Sequence, residues 1–429
     1  MTRQTAAVVA VGALAAILLV TALSVFVLRP TPSGTPVPPP GAALPAATTP
    51  GPTATVPSSN ASPTATGTAP AASASAGPAP VPDDRYGYVF VGQEGSISVR
   101  RERDPVPISM QGATSPSPGP AAFELRGLYP AVSSDGRRIA YWRTTNDIAT
   151  DLRVLEVADP RSDRSVLTVT ARRGGALAWS NDGQGLLVAT CGLQGVGPFG
   201  APSECDLETV DLTTTPASAR RAAERLGGGR VFLPIGWDRA AQVAAAVVTG
   251  EGGYATEYVT WRGRAATPFA SVQMPRPLVI ADRVRASPDA KLVLALEDSL
   301  TGVRVWPLED VTKAESITHP SRILAAFWRP GAAAPYEVIW VVGDRIELVA
   351  HAPGRPRVEP PTVLYTGTGS LGVTGIRPDG SAMLIADSSG GPPPPSTGVF
   401  LVHAGTRQAV KLATTTGSVH ALPYGVLLR

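Results

Sequence analysis

The stretch Trp179-Ser-Asn-Asp-Gly183, followed by the apolar run Leu186-Leu-Val-Ala-Thr190, decides the fold because it recurs along the chain. Three further copies have the same arrangement, and each precedes another apolar run: Val132-Ser-Ser-Asp-Gly136, Ala286-Ser-Pro-Asp-Ala290 and Ile376-Arg-Pro-Asp-Gly380. In such a phrase proline presets φ, aspartate bonds to its own backbone and glycine accepts a positive φ. The phrase therefore predicts a tight turn between two β-strands.

Less complete copies of the phrase extend the series. They read Trp237-Asp-Arg-Ala-Ala241, Trp328-Arg-Pro-Gly331 and Ala421-Leu-Pro-Tyr-Gly425. The first residues of the successive copies are separated by 47, 58, 49, 42, 48 and 45 residues. A repeat of about 40–50 residues that contains a strand, a turn and a strand is typical of a β-propeller. We therefore predict an all-β fold in which each unit supplies a four-stranded blade.

The recurring residues are predicted to have structural roles, in turns or in packing between blades. They are Asp135, Gly136, Trp179, Asp182, Gly183, Trp237, Asp289, Trp328, Asp379 and Gly380. Two units depart from the pattern, because Ala240 occupies the aspartate position of one and the Trp328 unit has no aspartate. The turns of those two units are expected to differ in shape.

The two ends of the repeat region indicate how the ring closes. Tyr86–Val91 and Ser96–Arg100 form one predicted strand pair, and Ser418–Leu422 and Gly425–Leu428 form another. Joining the two pairs completes a further sheet and removes the exposed edges that each pair would leave. We therefore predict seven blades with a two-plus-two closure. Six blades with an additional terminal pair is the alternative.

The phrases also resemble a known family, the TolB-type, WD40-like propeller repeats of bacterial envelope proteins. The resemblance rests on Trp-Ser-Asn-Asp-Gly, Ala-Ser-Pro-Asp and Arg-Pro-Asp-Gly and covers most of residues 86–429. It implies the propeller fold and leaves the function open.

The segment before the repeats predicts a membrane anchor and a spacer. Residues 1–29 are expected to form a signal-anchor transmembrane helix, because residues 5–28 are apolar or small and would span about 36 Å as a helix. Cleavage after Val20-Thr-Ala22 is the alternative. Residues 30–83, rich in Pro, Ala, Thr and Ser, are expected to form a disordered linker, and residues 84–429 the propeller. A long spacer on a single-pass anchor favours an extracytoplasmic propeller at the cell membrane.

Charge and cysteine content limit the function further. From Asp83 onward the chain has 35 basic and 34 acidic residues, so a nucleic-acid partner is not expected. Cys191 and Cys205 flank a Gly/Pro-rich stretch and are predicted to form a disulfide, with two free thiols as the alternative. No histidine or further cysteine lies near them to complete a zinc site.

No catalytic, cofactor-binding or metal-binding residues are predicted. The glycine patterns at 195–200 and 367–372 lack the helix that would receive a pyrophosphate, and the four histidines are scattered. Stretches that interrupt the repeat are candidates for partner binding: Met110–Ala122, 191–205, Thr213–Arg230 and Gly390–Thr397. Arg220, Arg221, Arg225 and Arg230 suggest a short basic helix that meets an acidic partner, or a solvated charged face.

These observations favour a monomeric, membrane-anchored, non-catalytic scaffold that binds a protein or peptide on one propeller face. A sensor of envelope glycans or small molecules that uses the central channel is the second hypothesis. A propeller lyase or hydrolase is the third.

Overall fold

The structure, a computed structural model, describes residues 81–91, 95–105, 122–146, 149–192, 205–214, 216–226, 230–249, 251–263, 270–331, 336–351, 360–388, 396–416 and 421–429. In these ranges the regular structure consists of β-strands and two short 3-10 turns, Glu251–Gly253 and Val311–Lys313. The predicted anchor and linker, residues 1–83, lie outside them except for residues 81–83, and so do the glycine pattern at 195–200 and most of the interrupting stretches. No helix among the described residues is long and apolar enough to cross a membrane.

The strands are numbered in chain order. They are β1 (Tyr86–Val91), β2 (Ser96–Arg101), β3 (Phe123–Arg126), β4 (Leu128–Val132), β5 (Arg138–Asn146), β6 (Ala149–Glu156), β7 (Asp159–Thr170), β8 (Arg172–Trp179), β9 (Gly185–Gly192), β10 (Cys205–Asp211), β11 (Ser218–Leu226), β12 (Phe232–Asp238), β13 (Val243–Thr249), β14 (Tyr254–Arg262), β15 (Ala270–Gln273), β16 (Val279–Ala286), β17 (Leu292–Glu297), β18 (Gly302–Pro307), β19 (Glu315–Thr318), β20 (Ile323–Trp328), β21 (Tyr336–Val342), β22 (Arg345–His351), β23 (Thr362–Thr366), β24 (Ser370–Ile376), β25 (Ala382–Ser388), β26 (Ser396–His403), β27 (Ala409–Thr416) and β28 (Val426–Leu427).

Consecutive strands pair in antiparallel order to form sheets. Four-stranded sheets contain β4–β7, β8–β11, β20–β23 and β24–β27, and a fifth has the order β28-β1-β2-β3. Strands β12–β15 and β16–β19 form two further groups, which count as one eight-stranded sheet because β14 pairs with β16 over Tyr254↔Ile280 and Ala255↔Val279. The sheets are thus repeated four-stranded meanders, and the fold is a β-propeller, as the turn phrases predicted.

The core lies between neighbouring sheets. The second strand of a repeat is buried on both faces, as in β17 and most of β9, β13 and β25. This pattern follows from a sheet that is covered on each side by another sheet. Trp179 and Trp328 are buried, and their indole N–H groups donate to the carbonyls of Ala131 and Arg285 in the preceding sheets. Two of the three tryptophan positions therefore join one sheet to the next, whereas the buried indole nitrogen of Trp237 has no hydrogen-bond partner.

The turn phrases fold as aspartate turns. In the phrase at Trp179, Oδ1 of Asp182 accepts from the Ser180 hydroxyl at 2.6 Å and from the Gln184 backbone N–H at 2.9 Å. Oδ1 of Asp135, Asp289 and Asp379 accepts equivalent bonds within its own turn. Positive φ angles of 71°, 64° and 67° occur at Gly136, Gly183 and Gly380, the conformation that glycine adopts without steric cost.

The ring closes differently from the prediction. The closing sheet, which we call the seam sheet, contains β1, β2 and β3 from one end of the repeat region and β28 from the other, so the two-plus-two closure is wrong. The sequence argument missed β3, which follows the interrupting stretch and pairs with β2 from Ser96↔Arg126 to Val99↔Phe123. At the other end Ala421 forms an isolated bridge with Phe90, and residues 418–420 lie outside the described ranges.

A buried ion pair fastens the seam sheet to its neighbour. Arg377, which follows β24, pairs with Glu102, and their side chains are 9% and 0% exposed. The Tyr88 hydroxyl also donates to Glu102, at 2.9 Å, and the Arg377 guanidinium lies over the Tyr86 ring at 4.6 Å. A buried charge requires such partners to remain ionised, so this pair ties residues 275 positions apart.

Two other local expectations are corrected by the structure. The arginine-rich stretch is not a helix, because Ser218–Leu226 forms strand β11 and pairs with β10. In the unit with Ala240 in the aspartate position, Asp238 forms the turn bond instead, accepting from the Ala241 N–H at 3.1 Å. The aspartate that forms the turn bond therefore lies two residues closer to the amino terminus than the aspartate position of the phrase.

Candidate functional site

The end of the propeller that carries the turn phrases is held together by bonds between successive sheets. We call this end the turn face, defined by the phrases at 133–136, 180–183, 287–290 and 378–380. While Oδ1 of a turn aspartate closes its own turn, Oδ2 reaches the next sheet. Asp182 pairs with Arg239 at 3.0 Å, Asp289 accepts from the Tyr336 hydroxyl at 2.7 Å and Asp379 accepts from the Tyr86 hydroxyl at 2.7 Å.

Other groups at the turn face bond the remaining pairs of neighbouring sheets to each other. The Ser134 hydroxyl donates to the Asn181 carbonyl, Lys291 pairs with Asp238, and Arg329 donates to the Gly380 carbonyl. The Leu427 backbone N–H donates to the Gly136 carbonyl at 2.7 Å, which joins the seam sheet to β4–β7. Every group of four strands is therefore bonded to the next around the ring, and the turn face is a rigid platform.

A cavity of about 400 Å³ lies among the first strands of the sheets, near the turn face. Its wall is formed by residues of β4, β8, β12 and β16, by the carboxyl-terminal segment Leu422–Gly425, and by turn prolines. Most of the wall is apolar, as at Ala131, Leu177, Ile235 and Val284. The cavity occupies the centre of the ring, where the channel of a propeller is expected.

Most polar side chains of the cavity wall already have partners. Ser134 donates to the Asn181 carbonyl, and the hydroxyls of Ser180 and Ser287 donate to their turn aspartates. The Asn181 amide donates to Asp238 and to the Asp289 carbonyl. These groups already form hydrogen bonds that hold the turns together, so binding a ligand through them would require those bonds to break.

Arg285 is the exception at the centre of the ring. It lies near the end of β16, and its guanidinium carbon is 5.2 Å from the centroid of the Phe327 ring. Part of the residue is accessible from the cavity, but its Nε is buried and has no hydrogen-bond partner. No acidic side chain among the described residues forms an ion pair with it. Burial lowers the pKa of Arg285, but a guanidinium remains protonated at neutral pH. The cavity wall therefore contains a partly desolvated cation.

Tyr424 is the second polar group of the cavity wall that lacks a strong partner. Its hydroxyl is buried and receives only a weak backbone hydrogen bond from Trp328. Burial raises the pKa of Tyr424, and the positive charge of Arg285 and the backbone of Trp328 partly offset that increase. Arg285 and Tyr424 both line the cavity, and the Arg285 Nε and the Tyr424 hydroxyl oxygen are buried in its wall.

The second charged group of the wall is the Asp282 carboxylate. Asp282 is exposed and also lines the cavity, three residues before Arg285 on β16. Its negative charge raises the pKa of Arg285 slightly, against the larger effect of burial. An exposed carboxylate is screened by water, so it compensates a buried cation poorly.

Other titratable clusters have their partners within the protein. His319 lies 3.3 Å from Glu347 and both are buried, but neither residue lines the cavity. A second cavity, of about 280 Å³, contains Arg239 and Asp211, which pair with each other at 3.1 Å. Among the described residues no group of three or more His, Cys, Asp or Glu is arranged to hold a metal ion.

The cysteines and the arginine cluster lie elsewhere. Cys191 and Cys205 are joined by a disulfide bond and face each other across the β9–β10 ladder. The stretch that this bond closes, 193–204, lies outside the described residues. Arg230 pairs with Glu257, and the side chains of the other three arginines of the predicted cluster are not among those described.

Known proteins offer similarity of structure at low identity. No protein-family model matches the chain, and no curated protein matches it. Similar solved structures include TolB from Acinetobacter baumannii, at 12% identity and a TM-score of 0.37, covering 81% of this chain and 67% of that one. A prolyl endopeptidase matches at 14% identity and 0.47, covering 78% of this chain and 50% of that one. The periplasmic gluconolactonase PpgL of Pseudomonas aeruginosa matches at 15% identity and 0.45, covering 80% and 99%.

TolB among these structures agrees with the family resemblance of the turn phrases. This chain spans half the length of the prolyl endopeptidase that it matches. At TM-scores below 0.5 and identities of 15% or less, the similarities carry no argument about activity. The functional argument therefore rests on the cavity and the turn face themselves.

Proposed function

We propose that this chain is a non-catalytic, extracytoplasmic propeller of seven blades that binds a protein or peptide partner at its turn face. Residues 5–28 would anchor it to the cell membrane as a single-pass helix, and residues 30–83 would hold the head away from the bilayer. The observation that carries the proposal is the central cavity beside the turn face. It contains Arg285, whose buried Nε has no hydrogen-bond partner, and the buried hydroxyl of Tyr424.

The blade count is part of the proposal. Seven groups of four strands result if the eight-stranded sheet is divided where β14 meets β16, a junction of only two residue pairs. The bonds of the turn face run once through all of these groups and return to β4–β7. This path supports a closed ring of seven over six blades with an additional terminal pair.

The rigidity of the turn face supports a scaffold role. A surface whose carboxylates already bind within turns and between sheets loses little conformational entropy when a partner docks. The same commitments argue against those carboxylates as acid–base catalysts, because each ionised oxygen already accepts one or more hydrogen bonds. A preorganised platform with a central cavity suits binding.

Site-specific photocrosslinking tests the proposal. A photoreactive side chain would replace Pro288, which lines the cavity at the turn face, and in a matched control Val363, which is 38% exposed on β23. In cells that produce the full chain, we expect one discrete crosslinked product from position 288 and none from position 363. Equal labelling from both positions, or turnover of envelope substrates by the purified full chain, would refute the proposed function.

A further inference from the structure

We propose that the central cavity binds the carboxylate group of a ligand with an apolar body, and that Arg285 and Tyr424 hold that carboxylate. The proposal rests on the proposed binding function and names the chemistry that the turn face recognises. It concerns a site defined by two side chains that lie 139 positions apart in the sequence and meet only because the ring closes.

An unpaired buried cation is the first step of the argument. Burying an arginine costs free energy that a protein normally recovers through a carboxylate partner and hydrogen bonds. Arg285 has neither at Nε, although the chain pairs other buried arginines, such as Arg377 with Glu102. The free protein does not recover the free energy of burying Arg285. An anion that enters the cavity and pairs with the guanidinium recovers it.

The position of the guanidinium is fixed before a ligand arrives. The Phe327 ring supports Arg285 from β20, and the Arg285 backbone carbonyl accepts a bond from the Trp328 indole at 3.1 Å. A cation held against an aromatic face keeps its N–H edge free to donate. The Tyr424 hydroxyl supplies another donor nearby, so an anion would find a preorganised pair of groups.

The size and charge of the cavity select a carboxylate with an apolar body. About 400 Å³ is at the lower end of the usual volume of small-molecule sites and exceeds the needs of a simple inorganic anion. The apolar wall favours burial of hydrocarbon. Asp282 adds a negative charge to the same wall, which opposes a dianion such as phosphate more strongly than it opposes a monoanion.

Binding measurements on the full-length protein in detergent test the assignment. The probe is octanoate, with octanol as the uncharged analogue, acetate as the carboxylate without an apolar body, and inorganic phosphate as the dianion. Octanoate is expected to bind and to raise the melting temperature, and each other compound to bind at least about tenfold more weakly. Equal binding of octanol, or stronger binding of phosphate, would refute the proposal.

The source of the carboxylate is distinguished by a second pair of probes. A short peptide that ends in leucine with a free carboxylate is compared with the same peptide as its amide. A preference for the free acid over both octanoate and the amide assigns a peptide terminus, and a preference for octanoate assigns a small organic acid. Equal binding of acid and amide peptides, without octanoate binding, would refute the carboxylate assignment.

Variants identify the residues. We expect Arg285→Gln to weaken octanoate binding by about tenfold or more and Tyr424→Phe by about threefold, because each removes donors to the carboxylate. Arg137→Gln, at an exposed arginine outside the cavity, is the matched control and should bind normally. Asp282→Asn should strengthen binding. An unchanged octanoate affinity of the Arg285→Gln variant would refute the proposal.

The stability of the ligand-free variants gives an independent readout. Since Arg285 is an uncompensated buried charge, Arg285→Met should raise the melting temperature of the ligand-free protein while abolishing octanoate binding. A structural arginine would behave in the opposite way, and a lower melting temperature would contradict the argument. Crosslinking at position 288 that persists when no carboxylate binds would refute this inference alone and leave the proposed function intact.

Discussion

Removing residues 421–429 should open the ring. The segment forms backbone hydrogen bonds at four of its residues, from Leu422 to Val89, Gly425 to Ile376, Leu427 to Gly136 and Leu428 to Arg85. At about 1 kcal/mol for each bond, and about 2 kcal/mol for the buried side chain of Val426, the deletion removes about 6 kcal/mol. This loss is comparable with the whole stability of a folded domain, about 5–15 kcal/mol.

The assay is thermal unfolding of the truncated and intact proteins, followed by tryptophan fluorescence. We expect the truncated chain to be unfolded or to melt far below the intact protein, because β1 would become an exposed strand edge. Deletion of Arg429 alone is the control, since that residue is exposed and should leave the melting temperature unchanged. A truncated chain that melts with the intact protein would refute the seam as the point of closure.

Three further outcomes follow from contacts outside the cavity. Arg377→Met should lower the free energy of unfolding by about 3–5 kcal/mol, because Glu102 is left charged and buried. Adding Glu102→Gln should recover part of that loss, and losses that add in urea unfolding would contradict coupling between the two residues. Replacing both Cys191 and Cys205 by serine should cost about 3 kcal/mol of unfolding free energy, and an unchanged urea midpoint would argue against the disulfide. Burial raises the pKa of Asp379, but hydrogen bonds from its neighbours outweigh this effect and lower the pKa below its usual value. The stabilisation of the fold by the Asp379 carboxylate is therefore present above about pH 4 and is lost as the pH falls further. Asp379→Asn should therefore destabilise the protein at pH 7 and much less at pH 3; an equal loss at both values would be inconsistent with this assignment.

The turns could be predicted from the sequence because their chemistry is local. A phrase such as that at Asp182 contains its own hydrogen-bond partners within two residues, so no long-range information is needed. The same local rule failed in the unit where Ala240 occupies the expected aspartate position, because Asp238, two residues earlier, forms the turn bond instead. It also missed β3, which has only four residues and carries no turn phrase.

The cavity groups could not be predicted by that logic. Arg285 lies one residue before a turn phrase and Tyr424 lies inside a degenerate one, so each appeared to be an ordinary position of the repeat. The available signal was a charged residue at a strand position where other repeats have an apolar residue, such as Ala178 and Phe327. The proximity of Arg285 and Tyr424 depends on ring closure, which no local pattern encodes.

The Glu102–Arg377 pair has a mechanical consequence at the point where the chain enters the propeller. The Asp83 backbone N–H donates to Glu102 at 2.9 Å, and Arg377 donates to the Val81 carbonyl at 3.4 Å. Tension applied through the residues before Val81 therefore reaches this pair before it reaches the two-residue ladder between β1 and β28. The short ladder between β1 and β28 is thereby shielded from load.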